Sequence, residues 1–379
     1  MRFRTRAIHV GNPPDRETGA VIAPIHLAAT YVQPGVGESA EFDYSRSGNP
    51  TRKALETTLA SLESGCGALA FASGMAAIHC ATLLLKPGDH IVAGTDIYGG
   101  TFRLLHKICP QAGITATLAP ATNLAAFAAA ITPQTKLLWI ESPGNPLLSI
   151  TDIRAVAELA KQHGILLGVD NTLATPALTR PLELGADIVM HSATKYLGGH
   201  SDVLGGALVV RDEELFRRLY FIQNATGAVM APLESFLCSR GIKTLSLRVL
   251  EQCRTAARLA EFLTAHPRVR RVYYPGLAGH PGHELAARQM QGGFGAMLSF
   301  EVAGDLAAAK HVANGTKLFR LAVSLGAVES LIEQPAAMSH ASYDPAARAA
   351  HGISDSLIRL SVGLEEFEDL RDDLAAALG

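Results

Sequence analysis

Between residues 65 and 210 the chain alternates short, unbroken apolar runs with stretches of helical spacing. The runs are ALAFA (68–72), HIVAG (90–94), ITATLA (114–119), KLLWI (136–140), ILLGV (165–169), DIVMH (187–191) and ALVV (207–210). In the intervening DIRAVAELAKQHG, Ile153, Val156 and Ala160 share one face, and a glycine follows His163 as at a helix end. Runs that are continuous rather than alternating belong to strands buried on both faces. Their repetition with helices predicts an α/β fold with a mostly parallel sheet covered on both sides. Beyond Arg240 the pattern changes. A helical stretch over about 241–266 leads to HPRVRRVYYPGL, then a Gly-rich strand GGFGAMLSFEV (292–302), then more helix. That is the pattern of a smaller C-terminal α+β domain. Residues 1–60, punctuated by Pro and Gly, read as an extended arm of the kind that reaches across to another subunit. The expected divisions are therefore 1–60, 61–240 and 241–379.

Composition narrows the function. A chain of 379 residues, 48% hydrophobic, is long enough for a large core and a second smaller one. Its net charge of −2 offers no cationic surplus for nucleic acid or anionic lipid. No apolar run approaches the ~20 residues of a membrane span. The start, MRFRTRAIHVGNPP, is basic but has no apolar signal region, and a transit-peptide reading conflicts with the motif-bearing sequence that follows at once. Five cysteines without CxxC spacing suggest neither disulfides nor a metal site. Cys66 and Cys80 lie in Ala-rich surroundings that suit packing as small hydrophobes. A reducing, cytoplasmic setting is expected.

In an open parallel sheet, ligands bind beyond the carboxyl ends of the strands. The residues that follow the apolar runs are Ser73-Gly74-Met75, then TDIYGGT with Tyr98, ESPGN from Glu141 to Asn145, Asp170-Asn171, and Ser192-Ala-Thr194-Lys195. A helix opening at Gly74 and Met75 offers backbone N–H groups to a phosphate, or is an ordinary cap. Ser192 and Thr194 would add hydroxyls to that anion, or are loop polar groups. Asp170 ends an apolar strand, where a carboxylate needs a cation, either a protonated pyridine nitrogen or an arginine. Lys195 could form an imine if desolvation frees its amine, or it could be a solvated surface lysine. An aldehyde-reactive amine, a phosphate cradle, a pyridinium partner and a stacking tyrosine together describe pyridoxal 5'-phosphate.

From about Thr18 to its end the chain resembles the Cys/Met-metabolism pyridoxal-phosphate enzymes, which include cystathionine γ-lyases, cystathionine γ-synthases and methionine γ-lyases. YSRSGNPT (44–51), FASGMAAI (71–78), DIYGGT (96–101), ESPGNP (141–146), VDNTLATP (169–176), HSATKYLGGH (191–200), SLGAVESL (324–331) and RLSVGLE (359–365) occur in that order. The resemblance implies the fold-type I, aminotransferase-like architecture. It implies Lys195 as the imine-forming amine and proton shuttle, Asp170 as partner of the pyridine nitrogen, and Tyr98 stacked on the ring. Gly74, Met75, Ser192 and Thr194 would bind the phosphate, joined by Tyr44 and Arg46 from a neighbouring subunit's arm. That sharing implies a homotetramer built of dimers. Arg359 would clamp the substrate α-carboxylate with help from Asn145 and Ser324, while Glu141, Asn171 and His200 would support these groups. His280 and His283 fit surface positions better.

Two substrate markers disagree. Arg103 and Gly100 match members that handle cystathionine, whereas Val323 matches methionine γ-lyases, because cystathionine enzymes carry glutamate there. The expected activity is γ-elimination at a C–S bond, cystathionine γ-lyase-like with room for a broad substrate range. The alternatives are γ-replacement on an O-acylhomoserine, as in cystathionine γ-synthase, and methionine γ-lyase activity. No G-x-G-x-x-G follows a strand and no P-loop occurs, so nicotinamide and nucleotide chemistry lack their motifs. A catalytically dead homologue is disfavoured, because Lys195, Asp170, Tyr98 and Arg359 are all present.

Overall fold

Every apolar run of the first half becomes a strand of one sheet in the computed structural model, which describes residues 1–339 and 352–379. The strands are β1 (Gly67–Phe71), β2 (His90–Gly94), β3 (Thr115–Ala119), β4 (Thr135–Glu141), β5 (Leu166–Asp170), β6 (Ile188–Ser192) and β7 (Gly206–Val210). Their order is β1-β7-β6-β5-β4-β2-β3, and β7 alone runs against the rest. At the register pair Trp139↔Gly168 a side chain on Gly168 would meet the indole at 2.5 Å, so the large ring requires the glycine opposite it.

The chain enters through α1 (Phe3–His9) and an irregular segment to α2 (Pro50–Glu63). This corrects the reading of 1–60 as a wholly extended arm. Asn49 caps α2 through its side-chain oxygen, and Pro50 stands at the first helical position, where a missing N–H costs nothing. Leu55, Leu59 and Leu62 then bury one face.

Helices α3 (Gly74–Thr82), α4 (Gly99–Arg103), α5 (Leu124–Ala129), α6 (Ile153–His163), α7 (Thr175–Leu178) and α8 (Glu213–Thr226) connect the strands. Alternate residues of each strand feed two separate cores. Leu138, Ile140, Leu167, Val169 and Val189 pack with α2 and α6. Ile91, Leu137, Trp139, Ile188 and Met190 pack on the other face with α3 and α8. Burial on both faces is why these strands read as continuous apolar runs.

The expected helix over about 241–266 is α10 (Leu245–Ala265), and α9 (Pro232–Ile242), which the sequence pattern did not indicate, precedes it with Pro232 as an N-terminal marker. A second sheet holds β8 (Val269–Tyr273), β9 (Met297–Val302), β10 (Arg320–Leu321), β11 (Leu331–Glu333) and β12 (Leu357–Ser361), in the order β10-β11-β12-β9-β8. Only 297–302 of the expected Gly-rich strand is extended pairing, since Gly292 and Gly295 have positive φ. Helices α11 (His283–Gln289), α12 (Leu306–Gly315) and α13 (Phe367–Leu378) complete the α-helices among the described residues. Leu298, Phe300, Ile332, Ile358 and Leu360 join the first core, leaving Ser299, Glu333, Arg359 and Ser361 on the opposite face.

Candidate active site

The carboxyl ends of β4, β5 and β6 face the polar side of the second sheet across a cavity of about 320 Å³. Ten of the sequence-predicted residues line it: Gly74, Met75, Tyr98, Asn145, Asp170, Ser192, Thr194, Lys195, Ser324 and Arg359, with Arg103 and Val323 at its rim. Val323 is 58% exposed and Tyr98 44%.

At one end α3 begins. Ser73 caps it by accepting from the Ala76 N–H at 3.1 Å, which leaves the amides of the first turn pointing outward at the positive end of the helix. A Cβ on Gly74 would sit 2.9 Å from Met190 Cε and 3.2 Å from Ser192 Oγ. One on Gly206 would strike the Ser73 carbonyl at 2.3 Å. Missing side chains therefore bring this turn against β6 and β7, with the Ser192 hydroxyl beside it. Thr194 is less available than its position suggests. Its hydroxyl donates to the Gly205 carbonyl at 3.2 Å and accepts from the Gly205 N–H at 3.0 Å, so binding an anion requires its proton to turn.

Deeper in, Asp170 is 5% exposed and accepts from the Thr172 N–H at 3.0 Å. Burial pushes its carboxyl up, against the pull of Thr172 and of His191. Glu141 stands beside it in register and accepts from the Tyr98 N–H at 2.8 Å. Burial, and then the Asp170 charge, hold Glu141 well above the usual carboxylate range. Glu141 thus clamps the turn that carries Tyr98.

Lys195 extends from the turn after β6 and donates to Ser324 Oγ at 2.8 Å. Burial, and next the Arg359 charge, lower its ammonium from the ordinary 10.5 to about 8. Arg359, in mid-β12, donates from Nη1 to Asn145 Oδ1 at 2.9 Å and from Nη2 to the Ser324 carbonyl at 2.8 Å. Its Nε is buried with no partner among the described residues. Ser324 holds φ +108°, a backbone conformation costly for a residue with a side chain. Arg359 on its carbonyl and Lys195 on its hydroxyl hold it there. Asn145 is set by its own turn, tied to β9 by Ser299 Oγ donating to the Pro146 carbonyl at 2.7 Å.

This arrangement fits pyridoxal phosphate. It offers an anion cradle at a helix start, a depressed amine, a buried acid in need of a cation, and a cavity between them. The chain matches the family model described as Cys/Met metabolism PLP-dependent enzyme over residues 4–379. The chain belongs to that family. Cystathionine gamma-synthase of Mycobacterium leprae (strain TN) is 53% identical, over 99% of this chain and 96% of that protein. Cystathionine beta-lyase of Coxiella burnetii is 51% identical, over 99% and 97%. Among solved structures, cystathionine gamma-lyase from Lactobacillus plantarum complexed with L-serine superposes with a TM-score of 0.96 at 47% identity, covering 100% of this chain and 98% of that one. The chain is thus a pyridoxal-phosphate-dependent enzyme with the fold of that class.

Several expected residues lie elsewhere. Tyr44 is exposed and stacks with Arg46, which bonds Asn224 of α8 and does not reach this chain's own cavity. Asn171 points to the opposite face of the sheet, because neighbouring strand residues alternate, and donates to Glu63 at 2.9 Å. His200 is exposed and bonds the Gly198 carbonyl. His283 is half-buried rather than superficial, stacked on Phe294 and bonded to the Pro275 carbonyl. Cys80 is buried as expected, but Cys66 is exposed, since it precedes β1 at a turn.

The sequence reading missed Thr172 and Glu333. Thr172 had a signal: a strand-end acid accepts from the backbone N–H two residues on in a local turn. Glu333 had one too, as an acid closing the short apolar stretch Leu331-Ile332, the feature that singled out Asp170.

Proposed function

We propose that this enzyme cleaves the γ-carbon–sulfur bond of cystathionine-like amino acids. The observation that carries this reading is one cavity holding a lysine lowered to about 8 between a phosphate-type helix start and a buried arginine. Pyridoxal phosphate, when bound, supplies a conjugated ring that takes up the electron pair released at the substrate's α-carbon.

The chain's own residues do the rest. The first-turn amides of α3, with Ser192 and Thr194, would hold the phosphate, and Asp170 would keep a proton on the ring nitrogen. Tyr98 would lie against the ring. Arg359, with Asn145 and Ser324, fixes the substrate carboxylate, which orients the α-carbon hydrogen toward Lys195. With its value near 8, the Lys195 amine takes protons from the α- and β-carbons and returns them within the pH range where it changes state. The sulfur then leaves the γ-carbon with a proton delivered from Tyr98 or Lys195.

Arg103 at the rim suits an anionic distal group, and the apolar, exposed Val323 tolerates uncharged ones, which gives a broad range. A second reading, γ-replacement of an O-acylhomoserine with cysteine, is favoured by the 53% identity to cystathionine gamma-synthase. The assembly we propose is a cytoplasmic homotetramer in which Tyr44 and Arg46 complete a neighbour's phosphate site. No helix among the described residues is long and apolar enough to cross a membrane.

Incubation with cystathionine, methionine and O-succinylhomoserine, with and without cysteine, decides between the readings. Cysteine and a keto acid from cystathionine alone support elimination. Cystathionine formed from O-succinylhomoserine plus cysteine at the higher kcat/KM supports replacement. No turnover of any of them refutes both.

A further inference from the structure

The cavity contains a charged group that the roles above leave unused. Glu333 lies across from Arg359 in the β11–β12 register, and its Oε1 is 3.0 Å from Arg359 Nη1. The two side chains are 1% and 5% exposed, so this is a buried ion pair inside the cavity wall. Ser339 also donates to Oε1 at 2.6 Å, whereas Oε2 is buried with no partner among the described residues. The guanidinium does not need Glu333 for its orientation, because Asn145 Oδ1 and the Ser324 carbonyl already fix both Nη atoms. What Glu333 adds is charge.

Resting on the assignment of Arg359 as carboxylate clamp, we propose that Glu333 is a resident anion that weakens the clamp, setting substrate and product affinity low enough for release. A carboxylate arriving at the free Nε edge becomes the second anion on one guanidinium, and two like charges at that range repel in a buried site. Glu333 also opposes the effect of Arg359 on Lys195, raising what Arg359 lowers. A salt bridge serving stability alone would give a different sign. Its loss would unfold the protein or loosen Arg359, and ligand binding would weaken.

The test is calorimetric binding of butyrate and of butyramide to the holoenzyme, neither of which carries an amine able to react. Glu333→Gln keeps the hydrogen-bond acceptor for Nη1 and removes the charge. It is expected to bind butyrate about tenfold more tightly and butyramide unchanged. If that variant does not fold, Glu333→Asp decides by the same sign, since its charge retreats by one methylene and butyrate binding should tighten about two- to threefold. Unchanged or weaker butyrate binding in the folded variant overturns the proposal. Arg359→Leu separates the two levels. If it leaves butyrate affinity intact, the clamp assignment fails. If it abolishes butyrate binding while Glu333→Gln does not tighten it, only the role of Glu333 fails.

Discussion

Lys195 is the residue on which the chemistry turns, and its environment makes a measurable demand. Desolvation and the nearby Arg359 lower its value to about 8, so the amine is largely free above that pH and protonated below it. In cofactor-free protein an amine-reactive reagent should label Lys195 at a rate that rises with pH and is half-maximal near 8. Surface lysines should respond nearer 10.4. Peptide mapping after brief labelling across that range checks this, and a midpoint shared with the surface lysines would contradict it. At this scale the sequence was informative where chemistry demands a residue type in an unfavourable place. Asp170 and Lys195 beside apolar strands were legible for that reason. Glu333 carried the same signal but was hidden, because β11 has only three residues and its pairing with β12 is a long-range fact.

Among the elements, the junction of β7 with the start of α3 sets the phosphate end of the cavity. Gly206 lies under the Ser73 carbonyl with no room for a methyl group, the approach being 2.3 Å. Gly206→Ala should displace the Ser73-Gly74 turn, cost about 1–3 kcal/mol by overpacking, and speed cofactor loss on dialysis. Denaturant melts and retained cofactor absorbance test this, and unchanged retention would show that the turn does not hold the phosphate. The seven strands were legible because a strand buried on both faces writes itself as an uninterrupted apolar run. The reversed direction of β7 was not, since such a run reads alike either way along the sheet. Helix α2 is obscured for a local reason. Pro50 reads as loop punctuation although it marks a first helical turn, and the Leu55, Leu59 and Leu62 spacing lies among threonines and charges.

The whole molecule leaves a marked asymmetry between its ends. The segment from Val21 to Tyr44 exposes Val21 at 89%, Val32 at 95% and Leu27 at 74%, an apolar display that the proposed assembly would have to cover. The Arg46 side chain meanwhile bonds Asn224 of α8, outside its own cavity. Arg46→Ala should therefore weaken cofactor retention while leaving the fold intact, as read by equilibrium dialysis with sedimentation for assembly state. Full retention would argue against exchanged arms. The second sheet was foreshadowed by the change of pattern beyond Arg240. Its position beside the first sheet was not, because Arg359 and Asp170 come to line one cavity only through two sheets packed on one core.

The most direct test of the account is to reduce the purified, cofactor-loaded enzyme with borohydride and map the modified peptide. The account predicts a pyridoxyl group on Lys195 and its disappearance in Lys195→Ala. Attachment to another lysine, or none while the cofactor remains bound, would contradict it.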